Sequence, residues 1–170
     1  MSINKINKAK KAGTVLLGTA LMAGLLFLNA CASKKAKGFN AEEAAQFYGQ
    51  NMTAEQEQAL LAKKVYYFGY DRFDLSQEDT LSVYAHAKQL IDNPNSRIRI
   101  EGHTDNRGSR EYNIALGERR ANAILSILGL KGAKANQIAV LSYGKERPAA
   151  DGQDEASWSQ NRRAEVIYEN

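Results

Sequence analysis

Between Gly102 and Ala121 the chain reads G-H-T-D-N-R-G-S-R-E-Y-N-I-A-L-G-E-R-R-A, and its densest chemistry lies in this run. Asp105, Arg107 and Ser109 fall in a short glycine-bounded loop that leads into a helix carrying Arg120. Gly108 permits a tight turn and leaves nearby backbone N–H groups able to meet an anion. A carboxylate arriving there meets those N–H groups and a guanidinium fork, which bonds carboxylates bidentately. An ammonium meets Asp105. The pattern suits a small zwitterion better than a nucleic acid or a flat protein surface.

Other chemistry is poorly supplied. His103 stands two residues before Asp105, yet the second histidine is His86 and the single cysteine is Cys31, so no metal ligand set assembles. Ser109 with a histidine six residues earlier makes no triad. Asp105-Asn106-Arg107-Gly108 lacks the further acids and closing glutamate of a calcium loop. With no nucleophile–base pair, no paired acids and no metal, neither enzyme activity nor a cofactor is expected. Plainer roles compete for the same residues. Asp105 suits the capping of its own turn or of the next helix. Arg120 suits a surface ion pair with Glu118 or Asp105, and Arg162 and Arg163 suit structural ion pairs at a strand entry.

The elements that must hold this loop follow from hydrophobic periodicity, beginning near Val65. Val65 to Phe68 is a β-rich run closed by Gly69. Ser76 caps a helix reaching Asp92, with Leu81, Tyr84, Ala87 and Ile91 on one face and Pro94 and Asn95 as its stop. Ile98 and Ile100 alternate with arginines, as on a half-buried strand. A helix over about 111–129 buries Ile114, Ala121, Ile124, Leu125 and Leu128, then ends at Gly129 and Gly132. Leu116 and Arg120 fall on a different flank, toward the entering loop. A strand over 138–143, a long polar loop over 144–160 and a last strand over 164–168 complete the pattern. The fold class expected is α/β (α+β): a two-layer sandwich, with a mixed β-sheet and helices on one face.

The first 30 residues read as an export signal. Lys5, Lys8, Lys10 and Lys11 precede an apolar or small stretch from Thr14 to Leu28, too short for a comfortable bilayer span. Leu28-Asn29-Ala30-Cys31 is similar to a bacterial lipobox, which implies cleavage before Cys31 and acylation of its thiol and amine. Each buried methylene contributes about 0.8 kcal/mol, so several acyl chains make a durable anchor. Ala32 and Ser33, with no aspartate following the cysteine, imply transfer to the outer membrane. The chain is formally +4, but the signal's four lysines account for it: of 23 basic residues 19 remain, against 19 acidic ones. A neutral mature chain gives nucleic-acid binding little support. Residues 31–63 then form a tether, with a leash from Ala32 to Gly38. Asn40 with Glu43, and Thr53 with Gln56, predict two short polar helices across 41–62, broken near Gly49. With no wide apolar stripe these read as a spacer, or as a surface that another protein orders. The globular domain spans 64–170.

Gly102-His103-Thr104-Asp105, Tyr112-Asn113, Leu116, Arg119-Arg120-Ala121 and Asn161-Arg162-Arg163 resemble the C-terminal domain family of outer-membrane protein A (OmpA). Val65 to Leu75, Ser142 to Pro148 and Asp154-Glu155-Ala156 are similar to its lipid-anchored, peptidoglycan-associated branch. The resemblance covers roughly 64–170 and is colinear. It implies non-covalent binding of the peptidoglycan stem peptide through meso-diaminopimelate, which carries an amine and a carboxylate on one carbon. It also implies Asp105 and Arg120 as principal contacts, with Asp71, Arg107, Ser109 and Leu116 lining the pocket. The implied partners are TolB and other components of the Tol-Pal system, which draws the outer membrane inward during cell division. The implied location is the periplasmic face of the outer membrane, through lipidated Cys31. The alternative within the family is another lipid-anchored wall binder with no Tol partner.

Overall fold

The computed structural model describes residues 53–169; the segment read as an export signal, Cys31 and the first helix expected in the tether lie outside them. In chain order the elements are α1 (Ala54–Ala62), β1 (Val65–Tyr67), α2 (Gln77–Asp92), β2 (Arg97–His103), α3 (Arg110–Leu130), a 3₁₀ turn (Ala135–Gln137), β3 (Ile138–Gly144), α4 (Glu155–Asn161) and β4 (Arg163–Glu169). The strands form one mixed sheet in the order β1-β4-β2-β3. Strand β2 pairs in parallel with β3 (Ile98 opposite Ile138) and antiparallel with β4 (Ile100 opposite Val166). The short β1 closes one edge antiparallel to β4, with Tyr66 opposite Ala164.

Alternation along the strands separates two faces. Tyr66, Ile98, Ile100, Ala164 and Val166 point inward against Val83, Ala87 and Leu90 of α2 and Ala121, Ile124 and Leu128 of α3. The other face carries charge. Register sets Glu101 directly opposite Glu165, a like-charge pairing that costs stability when left alone. Each glutamate is therefore claimed by an arginine of its own strand, Arg99 at 2.7 Å and Arg163 at 2.6 Å.

Helix α3 lies unusually close to the sheet, and glycine is the reason. A Cβ on Gly102 would sit 1.9 Å from the Gly117 carbonyl oxygen, and one on Gly117 would sit 2.4 Å from Ser142 Oγ. The Ser142 hydroxyl uses that closeness to donate to the Ile114 carbonyl at 2.7 Å. The first turns of α3 are thus fixed over the carboxyl ends of β2 and β3.

Three expectations need adjustment. The buried stripe of α2 runs through Val83, Ala87 and Leu90, while Ile91 is 46% exposed; the Lys131 ammonium instead lies 3.9 Å from the Tyr84 ring. Helix α1 has the expected Thr53–Gln56 capping box, but it is no loose spacer. The Ser82 hydroxyl donates to the Leu60 carbonyl at 2.8 Å, and Glu57 pairs with Lys88 at 3.1 Å. The supposed loop over 144–160 contains α4, whose N-cap Asp154 accepts from the Ser157 N–H at 2.8 Å.

Candidate functional site

Strand β2 ends at His103, and the next residues turn over the carboxyl end of the sheet, held by a bond from the Thr104 N–H to the Gly144 carbonyl (2.9 Å). The chain reverses at Gly108 with φ +83°, a conformation that L side chains resist. Ser109 then caps α3, accepting from the Tyr112 N–H at 3.1 Å. The Asn113 amide reaches back to donate to the Arg107 carbonyl (2.7 Å) and the Ser109 carbonyl (2.9 Å), which locks the loop to its helix.

Asp105 is only 5% exposed, and both its oxygens are engaged. Oδ1 accepts from Arg107 N (3.2 Å) and Nε (3.1 Å), and Oδ2 accepts from Arg107 Nη2 (2.7 Å). The Arg107 guanidinium lies between two rings, 4.3 Å from the centroid of Tyr70 and 3.9 Å from that of Trp158. A second arginine stands behind the pair. Arg162 is buried, donates to the Phe68 carbonyl at 3.0 Å, and holds Nη1 3.6 Å from Asp105 Oδ2. Burial pushes the Asp105 carboxyl up, but hydrogen bonds from Arg107 and the charges of Arg107 and Arg162 outweigh it and hold the group below the usual carboxylate range.

Arg120 is fully buried, not the surface arginine that one plain reading allowed. Its Nε donates to the Arg72 carbonyl (2.9 Å), Nη1 to the His103 carbonyl (2.7 Å) and Nη2 to the Gly69 carbonyl (3.2 Å). A guanidinium has five N–H donors, so two remain for other use. Burial pushes the Arg120 pKa down to about 10, with Asp105 and Asp71 opposing, and the group stays protonated at neutral pH. Asp71 stands in the segment that Arg120 clamps, in the left-handed region at φ 55°, and accepts from the Tyr112 hydroxyl.

These side chains surround one open cleft. Asp71, Asp105, Arg107, Leu116 and Arg120 all line it; Ser109 does not, because its hydroxyl is turned to the α3 cap. Arg162 and Arg163 behave as structural pairs, with Glu155 and Glu165 respectively. Sequence reasoning missed the walls: Tyr70 and Tyr112, which line the cleft, and Trp158, which backs Arg107. Trp158 arrives on α4, whose start was signalled by Asp154-Glu155, an N-cap acid followed by first-turn charge. Helix α4 is too short and polar for periodicity to reveal it.

Comparison with known proteins places the chain in a family. The model of the OmpA family matches residues 67–162. The peptidoglycan-associated lipoprotein of Legionella pneumophila is 55% identical over 106 residues, covering 62% of this chain and 60% of that protein. That of Pseudomonas putida is 45% identical over 157 residues, covering 86% of this chain and 93% of its own. The crystal structure of the peptidoglycan-associated lipoprotein from Burkholderia pseudomallei superposes with a TM-score of 0.63 at 44% identity, over 65% of this chain and 93% of that one. The C-terminal domain of Helicobacter pylori MotB, 22% identical with a TM-score of 0.58 over 64% of this chain and 85% of that one, shares the fold. On sequence and architecture together, the chain belongs to the OmpA family, in its peptidoglycan-associated lipoprotein branch.

Proposed function

We propose that the cleft binds peptidoglycan without covalent bonds, gripping the free amino-acid centre of meso-diaminopimelate in the stem peptide. One observation carries the reading: the buried Asp105 carboxylate and buried Arg120 guanidinium meet the half-buried Arg107 guanidinium in a single cleft. Charge-assisted hydrogen bonds are strongest in such a setting. The ammonium of the ligand faces Asp105, its carboxylate faces the free N–H groups of the arginines, and Leu116 packs on the methylene stem. Asp71 borders the same volume. Lipidated Cys31 fixes the chain to the periplasmic face of the outer membrane, and TolB with the other Tol-Pal components couples it to envelope invagination at division. The chain acts as a binding module and not as a wall-cleaving enzyme.

Pull-down with purified sacculi tests the reading. The lipid-free mature chain is expected to be retained, while Asp105→Lys loses retention with native circular dichroism. Unchanged retention of that variant removes the site assignment. Soluble muropeptides released from the sacculi would overturn the non-enzymatic reading. Co-purification of TolB separates a Tol partner from a wall binder without one.

A further inference from the structure

We infer that Asp105 and Arg107 form a closed ion pair that only a zwitterion can replace with a larger number of pairs, and that this exchange sets the specificity of the cleft. The inference rests on the cleft being the diaminopimelate site. Its starting point is that the place for a ligand ammonium is already filled. Arg107 makes three hydrogen bonds to the two oxygens of Asp105, at 3.2, 3.1 and 2.7 Å. The guanidinium is braced there by Tyr70 and Trp158, and Trp158 is itself pinned by a 2.8 Å bond from Nε1 to Asn106 Oδ1. Arg107 is thus an internal stand-in for the ligand's cation.

Three ligands then face three different balances. A zwitterionic centre breaks one pair and makes two, ammonium to Asp105 and carboxylate to Arg107. A centre with a carboxylate alone draws Arg107 away, but Asp105 has a reserve partner. Arg162 Nη1 is buried 3.6 Å from Oδ2 and has no hydrogen bond among the described residues. A centre with an ammonium alone breaks one pair, makes one, and strands Arg107 beside Arg162 and Arg120. Like charges set together without a counter-ion repel, so the ammonium-only ligand fares worst.

Three synthetic tripeptides, L-Ala-γ-D-Glu-X, put this to the test, with X as meso-diaminopimelate, L-2-aminopimelate or L-lysine. They differ only in whether the distal centre carries both groups, the carboxylate or the amine. Titration calorimetry on the lipid-free mature chain is expected to rank them in that order, with on the order of a hundredfold between first and last. In Arg107→Gln the stand-in is gone. The lysine peptide should bind more tightly than it does to the wild type, the diaminopimelate peptide more weakly, and the gap should shrink by about tenfold or more. Arg107→Lys, which keeps the cation, should keep the ranking. A lysine peptide that binds Arg107→Gln no better than wild type, with an unchanged gap, overturns the inference while leaving the diaminopimelate site intact. Failure of the diaminopimelate peptide to bind the wild-type chain removes the site reading and the inference with it.

Discussion

The chain has two histidines, one toward each end of the sheet, and their surroundings are opposites. His86 sits where α1 joins the domain, with Nδ1 2.9 Å from the Tyr168 hydroxyl and Nε2 2.8 Å from the Lys63 carbonyl. The Tyr66 hydroxyl donates to that same carbonyl at 3.2 Å, and the Ser82 hydroxyl, which donates to the Leu60 carbonyl, lies 3.2 Å from it. This cluster is neutral and its histidine is fully partnered. His103 lies on the strand that leads to the cleft, buried, with neither ring nitrogen hydrogen-bonded among the described residues; Nε2 is 3.8 Å from Glu101 and 4.0 Å from Glu165. Just beyond it in the chain, the cleft gathers the Asp105 carboxylate and the Arg107 and Arg120 guanidinium groups. A buried polar cluster that satisfies itself holds a structure together. One that keeps charges and donors in reserve is prepared for something to arrive.

The sharpest way to break the contrast is Arg120→Met. Three backbone carbonyls, that of buried His103 among them, lose a charged donor, so urea unfolding should report a loss on the order of 3 kcal/mol, together with loss of sacculus retention. Acidification comes next. Burial, then the Arg163 charge, push the His103 pKa from 6.5 down to about 4, against Glu165 and Glu101. The unfolded chain therefore takes up this proton first as pH falls. Stability due to His103 is full above about pH 6.5 and is lost toward pH 4, by on the order of 3 kcal/mol. His103→Gln should flatten this limb of a pH–stability curve. At the other end His86→Leu should cost only about 1–2 kcal/mol, because the Tyr66 hydroxyl still serves the Lys63 carbonyl, and retention should be unchanged. Smallest of all is Ser109→Ala: about 1 kcal/mol from the lost cap, with wall retention intact because Ser109 does not line the cleft. Loss of retention in that variant would restore Ser109 to the site.

Legibility in the sequence followed the physics of each element. Ile98 and Ile100, and Ala121, Ile124 and Leu128, repeat at the periods of strand and helix, so β2 and α3 were readable with their buried faces. Asp105, Arg107 and Arg120 were readable because a tight loop entering a helix confines them to one place. In the α2 stripe Leu81 and Ala87 are buried as expected, while packing uses Val83 and Leu90 in place of Tyr84 and Ile91, which share the same helical spacing. Helix α4 was missed, and Trp158 with it, because a seven-residue segment with Trp158 as its one large apolar side chain carries no period. The three carbonyls bound by Arg120 were out of reach too: Gly69, Arg72 and His103 meet only after β1 and β2 enter one sheet.

The seating of α1 has a mechanical side. Strand β1 starts beside the Lys63 carbonyl and ends one residue before Phe68, whose N–H bonds the Arg162 carbonyl at 2.8 Å next to the cleft. At its start, the Val166 N–H bonds the Lys64 carbonyl, also at 2.8 Å. Under the proposed function, tension between an anchored N-terminal segment and an occupied cleft would run along β1, while its bonds to β4 lie across that line. Loaded in shear, those bonds share the force together instead of opening one after another like a zipper.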